Sequence, residues 1–262
     1  MTTTMAPYTT QLRAGLAMIE ETRLLLELWD EGMESKQLYS VALDSGHFPN
    51  MSARRLRNFV EKCFTPRYLR DPAAAPFVKG LSGILKTNEF SQVLFIFTCR
   101  ANEILADFVR KVYWDAYSSG RQEITNEQAQ QFVRDANANG LTSVPWSDDT
   151  IQRVASDLTG CCGDFGLLEN GPRTKRRIQS FRIEPRVTTI LAYNLHFSGL
   201  GDNQVLASDD WGLFGLERDD VLGELKRQAL QGKFIVQTAG SISKISWPCK
   251  SIEELIDVIA DR

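Results

Sequence analysis

The sequence has few of the residues that form metal and redox sites. It contains two histidines, His47 and His196, which lie far apart in the chain. Its five cysteines are odd in number, and none is spaced as CxxC, the pattern typical of zinc ligands and redox pairs. The adjacent residues Cys161 and Cys162 point to different faces of a helix, so they form no ligand pair. We therefore expect reduced cysteines, no metal site and no cofactor.

Long hydrophobic runs are also missing. The longest apolar run is Val93–Cys99, and Arg100 ends it. A membrane span needs about 20 apolar residues, so this run is more typical of a buried core helix. The N-terminus MTTTMAPYTT has no basic segment followed by an apolar one, which is the pattern of a secretory signal. These absences predict a cytoplasmic protein that does not bind membranes.

No excess of charge of one sign is present in the whole chain. The 262 residues include 30 Lys and Arg and 33 Asp and Glu, for a net charge of −3. This balance excludes a uniformly basic protein of the histone type and a strongly acidic tail. The composition, with 43% hydrophobic and 24% charged residues, is that of an ordinary soluble globular protein.

Catalytic motifs are absent. Ser82, in GLSGI, lacks the GxSxG pattern of a nucleophile elbow, and Arg227 occupies the position where a phosphate loop ending at Gly232-Lys233 needs its first glycine. A nuclease is the main enzymatic alternative. Such enzymes hold magnesium with an acidic pair and an E-x-K motif, and one segment of this chain contains a similar set: Asp219, Asp220, Glu224 and Lys226. On a helix, however, Glu224 and Lys226 lie about 200° apart. We therefore predict a protein without enzymatic activity.

Helical periodicity dominates the first part of the chain. Apolar residues recur at helical spacing over seven segments, whose approximate bounds are 10–28, 34–44, 52–70, 77–85, 89–100, 102–117 and 126–140. Ser52 is a good N-cap for the third segment, and residues 118–125 have the composition of a connector. The pattern predicts an N-terminal helical bundle over 1–118, followed by a connecting helix and linker over 119–146.

The pattern changes after Pro145. Ser147, followed by Asp148 and Asp149, predicts a helix start, and the segments GLLENG, PRTKRR and IQSFRIEP then favour a strand, a turn and a strand. A helix near 218–230, a hairpin from KFIVQT and ISKISW, and a last helix after Ser251 repeat this order. The fold class predicted is mainly α, with winged-helix-like units containing short β-hairpins over 147–262.

Two short windows concentrate the basic residues. The window 173–186 has six basic residues and one acid, Glu184, on the predicted hairpin, where they could contact phosphates. Its candidate nucleic-acid-binding residues are Arg173, Lys175, Arg176, Arg177, Arg182 and Arg186.

The window 52–70 also has six basic residues and one acid. Its candidate contacts are Arg54, Arg55, Arg57 and Lys62. These side chains could bind a nucleic-acid backbone, or they could pair with acids of the first helices, namely Glu20, Glu21, Asp30, Glu31 and Glu34. Sequence alone leaves both alternatives open.

Four segments occur in a recognisable order along the chain: GLAMIEETRLLLELW, SARRLRNFVEKCFTPRYL, ADFVRKVYWDAY and DDTIQRVASDLTGCCGDFGLLENG. This order resembles the BrxA-type protein of BREX bacteriophage-exclusion systems. The C-terminal LQGKFIVQTAGSISKISW and SIEELIDVI fit longer members of that group. The resemblance implies a mainly helical, non-enzymatic phage-defence component that binds double-stranded DNA, with an N-terminal bundle similar to the antitermination factor NusB.

The resemblance and the basic windows together favour a DNA-binding component of a phage-defence assembly. Its expected partners are double-stranded DNA and other BREX components such as the methyltransferase. Two alternatives remain: a protein–protein adaptor without DNA contact, and an RNA-binding protein of the NusB type.

Overall fold

The computed structural model describes residues 8–14, 16–171, 174–239 and 242–260. These residues are mainly helical and include two small antiparallel sheets of two strands each. The expectation of a mainly α fold is confirmed.

Contacts group the described residues into two compact units. The first contains the described residues up to Pro76 together with Phe97–Phe181, and the second contains Phe77–Ile96 and the described residues from Arg182 onward. Each unit therefore combines segments that are distant in sequence. The predicted division into an N-terminal bundle (1–118), a connecting segment (119–146) and a C-terminal region (147–262) follows the order of the chain, and it stays a prediction.

The first unit begins with a short 3-10 helix, Gln11–Ala14, and contains most of the N-terminal helices. These are α1 (Ile19–Leu28), α2 (Ser35–Asp44), α3 (Ala53–Phe59), a π-helix (Val60–Leu69), the start of α4 (Ala74–Ser82), the end of α5 (Thr87–Ala101), α6 (Glu103–Phe108), a second π-helix (Val109–Tyr113) and α7 (Trp114–Ser118). Large aromatic side chains fill its core, among them Phe59, Phe64, Tyr68, Phe108 and Tyr113.

The predicted continuous helix over residues 10–28 is wrong in one respect. The short 3-10 segment ends at Ala14, and Met18 adopts a left-handed conformation with φ 40° and ψ 51° directly before α1, which starts at Ile19. A non-glycine residue with positive φ is uncommon. The interruption frees the Leu16 carbonyl, which accepts a hydrogen bond from Arg67 Nη2 at 2.9 Å.

The helix predicted to open at Ser52 does so, since Ser52 Oγ accepts a hydrogen bond from Arg55 N at 3.3 Å. Its second half, however, is a π-helix that contains Pro66. Proline has no N–H to donate to the preceding turn, and wider π turns accommodate such a gap. Periodicity alone does not distinguish this segment from an α-helix.

The second half of the first unit has the order strand, helix, helix, strand. β1 (Glu123–Thr125) leads into α8 (Asn126–Ala138) and α9 (Asp148–Asp164), and β2 (Lys175–Arg177) pairs antiparallel with β1. β1 lies inside the predicted connector, and the N-cap of α8 is Thr125, one residue before the predicted Asn126. The N-cap predicted at Ser147 is confirmed, because its Oγ accepts from Thr150 N at 3.4 Å.

A third extended segment joins this small sheet. Leu168 forms an antiparallel bridge with Ile178, Gln179 N donates to Leu167 O at 2.9 Å, and Glu169 N donates to Arg177 O at 2.8 Å. The predicted hairpin is therefore present and is formed by residues 167–169 and 177–179. The regular part of its second strand, β2, pairs with β1 instead.

The second unit contains the end of α4, most of α5, and the C-terminal elements. These are α10 (Pro185–Phe197), α11 (Asp202–Leu206), a 3-10 helix (Asp209–Phe214), α12 (Arg218–Ala229), β3 (Ile235–Ala239), β4 (Ile242–Ser246) and α13 (Ile252–Ala260). The predicted helix, hairpin and last helix are all present, and Ser251 Oγ accepts from Glu254 N at 3.3 Å.

Side chains of α10 and α11 hold this hairpin in place. The Asp202 carboxylate accepts from Ile245 N at 2.9 Å and from Trp247 Nε1 at 3.0 Å. Tyr193 packs edge-on against Trp247 and donates its hydroxyl to Lys233 O at 2.8 Å. These contacts hold β4 and the residues that flank the hairpin against α10 and α11.

Candidate nucleic-acid interface

The segment 52–64 has one buried apolar side and one basic side. Leu56, Phe59, Val60 and Cys63 are buried, as their helical spacing predicts. Arg54, Arg55, Arg57 and Lys62 are all exposed. Burial of the apolar side thus fixes the direction in which the basic side faces.

Three of these cations line one concave surface, which we call the basic groove. Its volume is about 790 Å³. The lining residues are Thr10, Gln11, Leu16, Met18, Ser52, Arg54, Arg55, Asn58, Lys62 and Asp164. Neither arginine nor Lys62 forms an ion pair with any described residue. In the part of the chain that the structure describes, these three side chains therefore do not pair with the acids of α1 and α2.

The other basic residues of the 52–70 window have different surroundings. The Arg57 guanidinium lies over the Tyr39 ring at 4.9 Å from its centroid. Arg67 is buried, and Arg70 is exposed and lines a separate cavity of about 360 Å³. Sequence spacing alone does not separate these roles.

Asp164, at the end of α9, is the carboxylate of the basic groove. Burial raises its pKa above the ordinary value, and a hydrogen bond from the Ala17 backbone and the charge of Arg176 oppose that rise. Asp164 lines the groove and also lies within electrostatic range of a residue of β2. Its carboxylate therefore adds one negative charge to the lining of the basic groove.

The three basic residues of β2 differ in how far their side chains are available to contact a nucleic acid. Lys175 Nζ pairs with Glu123 on the neighbouring strand at 3.1 Å. Arg176 is half-buried and donates to Glu169 O at 3.4 Å and to Asn170 Oδ1 at 3.5 Å. The Arg177 side chain is exposed and forms no ion pair with a described residue. Arg177 is therefore the most available cation of this strand.

Arg182 and Arg186 do not lie on the hairpin. Arg182 is exposed in the segment before α10, where its carbonyl accepts from Gln92 Nε2 at 2.7 Å. The predicted placement of these two residues on the wing is wrong, because the chain leaves the sheet after Gln179. Arg173 lies outside the described residues.

Arg186 has a structural environment in the first turn of α10. Its guanidinium donates to Ile84 O at 3.3 Å, pairs with Glu89 at 3.2 Å and also donates to Ile259 O. These contacts tie α10 to the α4–α5 connection and to α13. Its guanidinium is therefore occupied within the second unit.

The exposed side of α9 is acidic. Asp148, Asp149, Gln152 and Arg153 are exposed there, and Arg153 donates to Asp149 O at 3.1 Å. Carboxylates repel phosphates, so this charge distribution argues against α9 as a helix that enters a DNA groove.

A third basic segment was not predicted from the sequence. Residues 226–250 contain five Lys or Arg and no Asp or Glu. The basic residues are spread over 25 positions, so a search for dense clusters misses them. The absence of acids, rather than the density of bases, was the signal.

The residues of the nuclease alternative all lie on α12. Asp220 accepts from Glu217 N at 3.0 Å as part of a capping box, and Glu224 pairs with Arg227. These acids cap and stabilise a helix. Within the described ranges, no group of three or more His, Cys, Asp or Glu side chains could hold a metal ion.

All five cysteines are buried, and none of them forms a disulfide bond. Burial raises the pKa of the Cys162 thiol to about 12, and the nearby Arg176 charge opposes this rise. A buried thiol with a raised pKa is a poor nucleophile.

None of the helices in the described part of the chain combines the length and the hydropathy that a membrane span needs.

Comparison with known proteins places the chain in a family. The BrxA family model matches residues 6–194, which is well over half of the sequence. The chain belongs to the BrxA family. Membership implies a component of a BREX system. The match ends before α12, so the resemblance of the C-terminal segments to longer BrxA proteins stays a prediction.

The fold is also similar to a solved structure. A crystal structure of an uncharacterized protein from Magnetospirillum magneticum has a TM-score of 0.57 and 19% sequence identity, and the match covers 73% of this BrxA-family chain and 95% of that chain. At this identity, the likeness concerns the fold alone. No curated protein matches the sequence.

Proposed function

We propose that this BrxA-family protein binds double-stranded DNA through phosphate contacts and catalyses no reaction itself. The observation on which the proposal depends is the basic groove, where Arg54, Arg55 and Lys62 are exposed and form no ion pair with a described residue. Exposed cations grouped on one surface displace the counterions condensed on DNA, which is the main source of affinity for its backbone.

Arg177 on β2 is a further phosphate contact in this proposal, because it is exposed and forms no ion pair with a described residue. The single negative charge of Asp164 in the basic groove is outnumbered by Arg54, Arg55 and Lys62. Lys175 contributes less because Glu123 already pairs with it. Arg176 and Arg186 are assigned a structural role, since protein acceptors occupy their guanidinium groups.

The order of elements around this strand supports a winged-helix arrangement in the first unit. From α6 to Ile178 the chain forms helices up to α7, then β1, then α8 and α9, and finally two antiparallel extended segments. β1 pairs with the second of these extended segments. In our proposal the hairpin, rather than α9, contacts the DNA. An N-terminal bundle similar to NusB is the corresponding proposal for the earlier helices.

The family membership supports a role in phage defence. We propose that the protein acts in the cytoplasm and helps other BREX components, such as the methyltransferase, to engage DNA. Contacts with phosphates do not specify sequence, so the proposed binding is tolerant of sequence.

The test compares two variants that each remove two exposed positive charges. Arg55→Gln with Lys62→Gln changes the basic groove, and Lys36→Gln with Lys86→Gln changes exposed lysines elsewhere. We expect the groove variant to bind a labelled DNA duplex more weakly, with the slope of log K against log salt reduced by about 1.8. Fluorescence anisotropy measures both quantities.

The control variant should keep the slope of the unmodified protein. Equal slopes for the groove variant and the unmodified protein, with circular dichroism showing intact folds, would contradict the proposed surface. A matched RNA duplex that competes better than DNA would instead favour the RNA-binding alternative, because the grooves of A-form RNA differ from those of DNA.

A further inference from the structure

The third basic segment, residues 226–250, lies in the second unit. It includes the last turn of α12, β3, β4 and the residues up to Lys250, and it contains no acid. Lys226, Lys244 and Lys250 are exposed. The segment lies beyond residue 194, where the family match ends.

The strand register places Lys244 and two polar side chains, Gln237 and Ser246, on one face of the hairpin together with Ile235. Gln237 pairs with Lys244, and Ile235 pairs with Ser246. All four are exposed, whereas Ser243 and Ile245 on the opposite face are buried. Side chains alternate between the two faces of a sheet, so this face combines a cation with two polar side chains that can donate hydrogen bonds.

Two of the five cations of the segment have roles within the fold. Arg227 pairs with Glu224, and Lys233 Nζ donates to Val258 O at 2.8 Å near the end of α13. Lys226, Lys244 and Lys250 form no ion pair with a described residue. The uncompensated charge of the segment is therefore on these three lysines, of which Lys226 lies on α12 and Lys244 on β4.

The two units share one local arrangement. In each, a helix is followed by an antiparallel hairpin whose second strand has an exposed basic side chain, Arg177 on β2 and Lys244 on β4. In the second unit the hairpin is longer, and Asp202 accepts a hydrogen bond from the backbone N–H of Ile245 on its second strand.

We propose that the exposed face of β3 and β4, together with Lys226 of α12, is a second contact surface for the DNA backbone. We call it the hairpin surface, and its residues are Lys226, Gln237, Lys244 and Ser246. Its occupant is the phosphate chain, because lysine ammonium groups and neutral side-chain donors are the groups that bind phosphate oxygens without selecting sequence. This inference rests on the proposed DNA binding and adds a second unit to it.

The test uses the full chain with Lys226→Gln and Lys244→Gln, next to the groove variant and the Lys36→Gln, Lys86→Gln control. Both lysines of the hairpin surface are exposed, so we expect circular dichroism and thermal unfolding to be unchanged. For a labelled DNA duplex, we expect the slope of log K against log salt to fall by about 1.8, the loss of two phosphate contacts.

The outcomes separate the two proposals. A hairpin variant with the slope of the unmodified protein, while the groove variant has a reduced slope, overturns the hairpin surface alone. A reduced slope for the hairpin variant with an unchanged groove variant overturns the basic groove and keeps the second surface. Failure of the unmodified protein to bind DNA overturns both.

Discussion

At the residue scale, the environment of each arginine determines its role. Arg54 lies in the exposed basic groove, and Arg67 is buried in the core of the first unit. The Arg186 guanidinium donates hydrogen bonds to acceptors within the second unit. The sequence predicts the apolar stripe beside Arg54 correctly, because that stripe follows helical spacing. It does not predict the burial of Arg67, which depends on a carbonyl made available by Met18, far away in the sequence.

Arg67 should be important for stability rather than for DNA binding. Its donation to Leu16 O satisfies a carbonyl that the interrupted helix leaves without a helical partner. We expect Arg67→Met to lower the free energy of unfolding by about 1–3 kcal/mol, the cost of leaving a buried polar group unsatisfied. Urea denaturation followed by circular dichroism measures this change.

Arg70→Met is the matched control, since Arg70 is exposed three residues later. Exposed substitutions usually change stability by less than about 0.5 kcal/mol. Equal unfolding free energies for the two variants would show that the Arg67 contact does not stabilise the fold.

At the element scale, helices with strong caps and clear periodicity were predictable. Ser52, Ser147 and Ser251 each accept the expected backbone hydrogen bond. The π-helix and β1 were not predictable, because the first has helical periodicity and the second has three residues with no pattern of its own. β1 becomes a strand only because β2 pairs with it.

The strand β2 gives a prediction at this scale. Arg177 and Lys175 are both exposed on β2, but only Lys175 pairs with Glu123. We expect Arg177→Gln to reduce the slope of log K against log salt by about 0.9, and Lys175→Gln to change it less, because Glu123 partly neutralises the lysine. Anisotropy titrations of the two single variants provide the comparison.

The two substitutions are matched in charge and lie on the same strand. A larger effect for Lys175→Gln than for Arg177→Gln would mean that the pair with Glu123 opens when DNA binds. In that case the lysine, rather than the arginine, would be the main phosphate contact of β2.

At the scale of the whole molecule, the net charge of −3 conceals an uneven distribution. The available cations lie on the basic groove and β2 in the first unit and on the hairpin surface in the second. The sequence predicted two basic windows, but it could not assign Arg182 and Arg186 to a different unit from Lys175, because that division depends on contacts between distant segments. Local basic surfaces on an otherwise acidic protein are consistent with DNA binding that does not extend over the entire molecule.

The most direct test of this account is the salt dependence of binding between the unmodified protein and a DNA duplex. Six cations are assigned to phosphates: Arg54, Arg55, Arg177, Lys62, Lys226 and Lys244. If each neutralises one phosphate, the slope of log K against log salt should be about −5.4. A slope of about −3.6 would keep the four contacts of the first unit and remove the hairpin surface. A slope near zero, or no binding at low salt, would contradict the central claim that the protein binds DNA through its localised basic surfaces.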